Sequence, residues 1–347
     1  MKDRKAVARF ECRSAVRLSD LALLVRAPAA LSVPGDVIAG AAAAGRPLGA
    51  RTFGVIASSV CLYWAGMALN DYADAAVDSV ERPGRPVPSG RVPRRTALAV
   101  AGSLTAAGLG LAAAAGGRRS VGVALPLAGL VWAYDLKLKS TPAGGFAMAG
   151  ARVLDVLAGA AVPGAGAESV GAALRRAAVP AGLVGVHTGT LMALSRHEIG
   201  GAPVRVPSAT LAVSALTALA AGAVPVEQGA SGGAAKGCRA AAAPSGLVAQ
   251  FPAPLKGVAV AARSKKPRNI VTAAGALAYL GTYGSAQVRA VREPSGENVR
   301  RAVGAGILGL MPLQAALTAR GGAPGVAAAL GVIHPLARRL ARRISPT

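Results

Sequence analysis

The sequence predicts an all-α integral membrane protein, a bundle of about nine transmembrane helices. Three observations lead to this fold class. The 347 residues are 53% hydrophobic and only 16% charged, whereas an average soluble domain carries about 25% charged residues. The apolar residues form repeated runs that are long enough to cross a bilayer. Basic residues cluster between these runs, as the positive-inside rule expects of membrane loops.

Each predicted span follows from its length, because a crossing helix needs roughly 20 mostly apolar residues. The nine spans are 21–41, 53–72, 96–115, 120–136, 146–163, 177–196, 207–225, 270–288 and 302–319. A weaker apolar stretch at 323–336 is short for a full crossing. Most of the apolar residues are Ala, Gly and Val, and small residues let membrane helices approach closely.

The chain divides into a basic cytoplasmic segment, 1–20, and a single membrane domain, 21–347. The first apolar run lacks a convincing cleavage site, so we expect a retained helix and not a signal peptide. With the N-terminus in the cytoplasm, the loops up to residue 225 follow the positive-inside rule. The Gly/Ala/Pro/Ser-rich stretch 226–269 predicts a flexible loop. We expect a multi-pass protein of the cell membrane.

The net charge of +24 raises the alternative of nucleic-acid binding. The basic residues lie in short clusters between apolar stretches, and aromatic residues for base stacking make up only 3% of the chain. We therefore expect no nucleic-acid partner. The three cysteines, Cys12, Cys61 and Cys238, form no CxxC pair, which argues against a disulfide framework and a structural zinc site.

The end of the second span carries the first candidate site. Asp71, Asp74 and Asp78 follow Asn70 at spacings of i, i+3 and i+7, which places them on one face of a continuous helix. Ionisable residues at a membrane helix end indicate function. Three carboxylates on one face favour Mg²⁺, which binds through hard oxygen ligands together with substrate phosphates.

The loop that follows supplies positive charge. Pro83, Pro86 and Pro88 end the helix and stiffen the loop. Arg82 and Arg85 are then held close to the carboxylates. Carboxylates for a metal beside fixed guanidinium groups describe a diphosphate site. The alternative is a solvated, charged loop between two helices.

This pattern, Asn-Asp-x-x-Asp-x-x-x-Asp followed by Arg-Pro-x-Arg-Pro-x-x-Ser-Gly, resembles the first aspartate-rich motif of the UbiA-type membrane prenyltransferases. The motif positions are Asn70, Asp71, Asp74, Asp78, Arg82, Pro83, Arg85, Pro86, Ser89 and Gly90. The resemblance implies transfer of a prenyl group from a polyprenyl diphosphate to an unidentified acceptor, with Mg²⁺, inside a helical bundle open to lipid. The topology predicted from the loop charges places the site on the cytoplasmic side.

Two further segments are similar to the family. Tyr134, Lys137 and Lys139 match the end of its fourth helix. The resemblance implies that Lys137 or Lys139 binds diphosphate and that Tyr134 shields a carbocation. The alternative is that these residues anchor the helix at the membrane interface.

The second motif of the family, a pair of aspartates after the sixth helix, is altered in this chain. Ser195 stands where the first Asp is expected and Glu198 where the second is expected. Glu198 can still bind a cation, Arg196 can supply charge in place of a second metal, and His197 is a candidate proton acceptor. The change leaves open a protein that binds or transports an isoprenoid without catalysis. A third possible function is that of a terpene cyclase with the same fold.

Several ionisable residues lie within the predicted spans. Arg152 and Asp155 are three residues apart, which favours a mutual ion pair facing the bundle interior, with contact to the acceptor as the alternative. Asp36 and His187 are expected to make buried polar contacts.

Overall fold

The computed structural model describes residues 16–164, 168–223 and 265–332, and it contains helices and no strands within these ranges. The helices are α1 (Leu18–Leu24), α2 (Val33–Ala43), α3 (Ala50–Ala73), α4 (Ala75–Glu81), α5 (Arg94–Ala133), α6 (Gly144–Ala161), α7 (Val170–Ser195), α8 (Arg205–Gly222), α9 (Lys265–Tyr279), α10 (Ser285–Arg292), α11 (Gly296–Arg320) and α12 (324–332). A 3₁₀ segment (Ala27–Ser32) precedes α2, and π segments (Tyr134–Leu138 and Leu280–Gly284) follow α5 and α9. The predicted all-α class is confirmed.

Five helices of the described residues are long and apolar enough to cross a membrane. They are α3, α5 with its π segment, α6, α7 and α11. The predicted span 96–115 lies in α5, and the span 120–136 lies in α5 and the start of the π segment. Gly117 (φ 57°, ψ −143°) kinks α5 between the two spans. The other predicted spans fall on α2, α8 and the α9–α10 pair, so the count of nine stays a prediction.

The structure describes only parts of the N-terminal segment, the long predicted loop and the weak C-terminal apolar stretch. Residues 1–15 and most of the predicted loop 226–269 lie outside the described residues, and 265–269 begin α9. Of the weak stretch 323–336, residues 324–332 form α12.

The first predicted span, 21–41, is not one continuous helix. The chain leaves α1 at Val25, and Arg26 adopts a left-handed backbone conformation (φ 47°). Pro28 and Pro34 then begin the 3₁₀ segment and α2, because proline cannot supply an N–H group within a continuing helix. The interruption leaves the Arg26 side chain at the end of the bundle, beside the C-terminal end of α3.

Close backbone contact joins α2 to α6. A Cβ built on Gly40 would overlap the carbonyl oxygen of Val156, and a Cβ on Gly159 would overlap that of Val37. Glycine is therefore required at both positions, since van der Waals contact between backbones holds membrane helices together. This contact sets the depth of α6 relative to the rest of the bundle.

We predict that Gly159→Ala destabilises the protein by about 1–3 kcal/mol, because the added methyl group forces α2 and α6 apart. Gly129→Ala in α5 is the matched control, since a Cβ there meets nothing within 4 Å. Thermal unfolding of the purified protein in detergent, followed by tryptophan fluorescence, measures both. Equal unfolding temperatures for the two variants would contradict the assigned helix contact.

Candidate active site

The aspartates of the first motif lie where α3 gives way to α4. Asp74 is both the C-cap residue of α3 and the N-cap residue of α4, so α3 and α4 are separated at this residue. Backbone hydrogen bonds from Asp74 to Asn70 and from Asp78 to Asp74 nevertheless continue across the break, so the shared face of the three carboxylates stays a prediction. Asp71 and Asp78 share a partner, and Asp74 has a different one.

Asp71 and Asp78 converge on a single guanidinium nitrogen. Arg85 Nη1 lies 3.5 Å from Asp71 Oδ1 and 2.5 Å from Asp78 Oδ2. Both carboxylates are buried, with side chains only 2% exposed. A buried carboxylate is costly unless it is paired, so Arg85 compensates the charge of both. Arg82 lies 3.7 Å from Asp78 and is 59% exposed, which makes it a weaker partner.

Arg26 is a site residue that the sequence analysis missed. Its Nη2 atom donates to Asp71 Oδ1 at 3.2 Å. In the sequence, Arg26 is one of the basic residues near the N-terminus that predict the orientation of the protein in the membrane. The signal that could have revealed it is an arginine inside the first apolar run, two residues before Pro28.

Asp74 belongs to a second polar group, formed with the π segment after α5. Lys139 Nζ lies 2.5 Å from Asp74 Oδ1. Asn70 donates to Asp74 Oδ2 at 3.0 Å and to Asp135 Oδ1 at 3.4 Å. Between the two predicted lysines, Lys139 is therefore the one that reaches the motif, whereas Lys137 is exposed. Asp135 is a second residue that sequence reasoning did not assign to the site.

The altered second motif occupies the loop after α7, at the same end of the bundle. Ser195 donates its hydroxyl hydrogen to the carbonyl of Met192. Arg196 donates to the carbonyl oxygens of Thr141 and Pro142, at 3.4 Å and 3.2 Å, which ties this loop to the one after the π segment. The side chain of His197 is half-buried.

Glu198 is also half-buried, and its carbonyl oxygen accepts a hydrogen bond from Arg300. Burial raises the pKa of the Glu198 carboxyl group, and the positive charges of Arg300 and Arg82 oppose this shift. The coupling to Arg82 indicates that the second-motif loop lies near the first motif.

A cavity of about 230 Å³ opens beside the first motif, between α3, α5 and α6. Tyr134 and Asp135 line one part of it, and Ser59, Arg152 and Asp155 line another. The rest of the wall is largely apolar and includes Leu62, Met67, Leu127, Leu130, Val131, Ala147 and Met148. The charged motif thus adjoins the Tyr134–Asp135 end of a largely apolar cavity, and this end is termed the cavity entrance.

The donor set fits a magnesium ion in part. Within the described ranges, no group of three Asp, Glu, His or Cys side chains is arranged around a metal position. Asp74 contacts Lys139 and Asn70, and the predicted metal set of Asp71, Asp74, Asp78 and Glu198 stays a prediction. Asp71 and Asp78 do converge on one cationic atom. Mg²⁺ commonly uses one or two carboxylates plus substrate phosphates, so this pair is suited to it.

Comparison with known proteins agrees with this geometry. The model of the UbiA prenyltransferase family matches residues 33–232, which is more than half of the chain. The protein belongs to the UbiA prenyltransferase family. The resemblance predicted from the first motif is confirmed, and the helices that follow residue 264 lie beyond the matched range.

Curated relatives match over shorter stretches. The digeranylgeranylglyceryl phosphate synthase of Methanopyrus kandleri is 42% identical over 110 residues, which are 32% of this chain and 38% of that protein. The enzyme of the same name from Methanoregula boonei is 47% identical over 78 residues, which are 22% of this chain and 28% of that protein. The matched part of the chain spans well under half the length of these relatives.

Two solved structures share the fold over most of their length. A UbiA homologue from Aeropyrum pernix superposes with a TM-score of 0.56 at 16% identity, covering 88% of this chain and 97% of that one. A structure of digeranylgeranylglyceryl phosphate synthase gives the same TM-score at 14% identity, covering 88% of this chain and 98% of that one. At these identities the likeness establishes the fold alone.

We predict that Arg85→Ala and Arg82→Ala differ sharply in stability, although both remove an arginine from one loop. Arg85→Ala should cost about 3 kcal/mol, because it leaves two buried carboxylates with less compensation. Arg82→Ala should cost less than about 1 kcal/mol, because its pair with Asp78 is long and solvent-exposed. Thermal unfolding in detergent measures both losses. Equal losses would show that Arg85 does not hold the motif together.

Proposed function

We propose that the protein transfers a prenyl group from a polyprenyl diphosphate to an acceptor within the membrane, in a reaction that depends on Mg²⁺. One observation carries the proposal. Cations from three separate segments, Arg26, Arg85 and Lys139, are held by the motif carboxylates at the entrance of an apolar cavity. Relatives named digeranylgeranylglyceryl phosphate synthase support the reaction class.

The cations would bind the diphosphate. Arginine presents a planar set of donors that pairs with two phosphate oxygens at once, and lysine acts as a point charge. Arg26 and Lys139 come from outside the motif loop, so they can approach the diphosphate from other sides than Arg85. Arg82 and Arg196 are exposed and would add charge at the entrance. Because the salt bridges hold these cations in place beforehand, the positive field of the site exists before the substrate binds.

Asp71 and Asp78 would hold Mg²⁺, with Asp74 and Glu198 as further carboxylates at the same end of the bundle. The ion supplies neutralisation of the charge that develops on the leaving pyrophosphate. Ser195 is a poor ligand compared with an aspartate, so Glu198 is the carboxylate that the second motif offers.

The cavity would protect the reactive carbon. The bond between the allylic carbon and the diphosphate oxygen breaks, and the electron pair leaves with pyrophosphate. Tyr134 lines the cavity beside Asp135, where its ring stabilises positive charge on the allylic group. The acceptor then donates an electron pair to that carbon and loses a proton. Asp135 lines the cavity and is better placed than His197 to receive this proton.

The multi-pass membrane character follows from the helices and the family. We propose that the site faces the cytoplasm and that the protein resides in the cell membrane. The loop between α4 and α5 carries Arg82, Arg85 and Arg91, and basic loops of this kind are retained on the cytoplasmic side.

We predict that Asp71→Asn and Asp74→Asn each abolish Mg²⁺-dependent release of pyrophosphate from geranylgeranyl diphosphate in membranes that contain the protein and supply the acceptor, a loss of at least about a hundredfold. The first removes a carboxylate from the cation position, and the second removes the partner of Lys139. Glu81→Gln is the control, because Glu81 is an exposed acid at the end of α4, the helix that follows Asp74. Pyrophosphate release at the wild-type rate in both aspartate variants would contradict the proposed function.

The altered second motif favours a second candidate function, binding or transport of an isoprenoid without turnover. Ser195 has no carboxylate to offer, and its hydroxyl is bound to Met192. We predict that the double variant Ser195→Asp/Glu198→Asp increases pyrophosphate release, because it restores a second carboxylate pair for the metal. Unchanged diphosphate binding without turnover, in both the wild type and the variant, would identify a carrier. Pyrophosphate release without any acceptor would identify a cyclase.

A further inference from the structure

A polar cluster lies deep in the membrane region, away from the diphosphate motif. Arg152 on α6 contacts Asp36 Oδ2 through its Nε atom at 3.0 Å. Gln314 on α11 donates to Asp36 Oδ1 at 2.7 Å. Asp36 is fully buried. Both of its oxygens are therefore in contact with a donor, and Arg152 pairs with Asp36 in place of the predicted pair with Asp155.

Asp155 forms no salt bridge within the part of the chain that the structure describes, although the charge of Arg152 reaches it. The residue is only 7% exposed. Ser59 forms a hydrogen bond with the carboxyl group, and the Oδ1 atom is buried without a hydrogen-bond partner. An unpaired polar atom in an apolar interior is costly. The Oδ1 atom of Asp155 thus lacks a donor, and Asp155 lines the cavity.

The depth of Asp155 in the cavity follows from α3. Ser59 and Met67 both line the cavity, and they are eight residues apart on this helix. At 1.5 Å per residue the cavity extends about 12 Å along the helix. Asp155 lies at the Ser59 end. Asn70, three residues beyond Met67, binds Asp135 at the opposite end, next to the diphosphate motif.

The prenyl chain is a poor occupant of the deep end. A hydrocarbon placed against Asp155 would exclude water from its carboxyl group and would offer no hydrogen bond to the Oδ1 atom. A compact molecule with polar groups at both ends fits better, because one group reaches Asp135 while the other reaches Asp155. Rotation about χ2 of an aspartate is soft, so the oxygen without a partner can turn toward such a group. The cavity volume of about 230 Å³ exceeds the roughly 150 Å³ that accommodates benzene.

We propose that Asp155 and Ser59 form a subsite for the distal polar group of the prenyl acceptor, and that this subsite selects a hydrogen-bond donor. The acceptor class is then a compact molecule whose far end carries a hydroxyl or an ammonium group. A carboxylate or phosphate at that end is disfavoured, since the Nε atom of Arg152 already contacts Asp36 and a second anion brings no donor to the Oδ1 atom of Asp155. This inference rests on the proposed function and names its acceptor class.

The test compares three para-substituted phenols of similar size, 4-(hydroxymethyl)phenol, 4-(aminomethyl)phenol and 4-hydroxybenzoate. Their binding to the full-length protein in lipid nanodiscs is measured by isothermal titration calorimetry. We expect the hydroxyl and ammonium probes to bind at least about tenfold more tightly than the carboxylate probe, as a charged hydrogen bond implies. Equal or tighter binding of the carboxylate probe, or no binding of either donor probe, overturns the proposal.

A variant then assigns the preference to Asp155. Asp155→Leu should lose the tight binding of both donor probes. Asp20→Asn is the control, because Asp20 is a buried carboxylate that pairs with Arg91 and does not line the cavity. A loss in the control as large as that in Asp155→Leu would also overturn the proposal. If Asp155→Leu fails to fold, the preference of the wild-type protein among the three probes still decides the question.

The two proposals fail separately. If Asp71→Asn and Asp74→Asn retain pyrophosphate release, the proposed function fails whatever the probes do. If the wild-type protein releases pyrophosphate but does not discriminate among the probes, only the acceptor subsite is wrong.

Discussion

The pairing of buried carboxylates with cations is the interaction on which this structure depends. Asp71 and Asp78 are nearly inaccessible to solvent, and an unpaired charge in such a place would cost several kcal/mol. Arg85 compensates both of them, and Arg26 adds a second cation to Asp71. Since Arg26, Asp71 and Arg85 come from three different segments, the same contacts fix the end of the bundle and the entrance of the cavity.

The same cations would serve two purposes. In the structure they neutralise the motif, and in the proposed reaction they meet a diphosphate that carries the opposite charge. Substrate binding would therefore be an exchange of partners and not a new burial of charge. Such an exchange costs less than bringing a diphosphate into an empty low-dielectric cavity, because the field of the site already exists.

Much of the fold and part of the site could be predicted from the sequence. Hydropathy and loop charge suffice for an all-α membrane bundle, because lipid permits few other structures. The local spacing of the motif identified Asp71, Asp78 and Arg85 as neighbours. The position of Asp74 could not be read in the same way, since it depends on Lys139, which lies 65 residues along the chain.

Long-range partners explain the other differences. Arg152 is three residues from Asp155, which favours a local pair, yet it contacts Asp36 on α2. That choice depends on the close contact of α2 with α6, which no local spacing reveals. Arg26 was missed because its role requires a break in the first apolar run. The left-handed conformation that makes this break is rare for an arginine.

The π segment at the end of α5 determines the direction in which the side chains that follow it point around the helix axis. Lys139 donates its backbone N–H to Tyr134, five residues earlier, so this turn holds one more residue than a regular helical turn. Removing a single residue from 134–138 would restore a regular helix and rotate everything that follows by about 100° about its axis. Lys139 would then no longer face Asp74. The length of the 134–138 segment therefore decides whether the end of α5 places Lys139 against Asp74, and a change of one residue would remove this cation from the site.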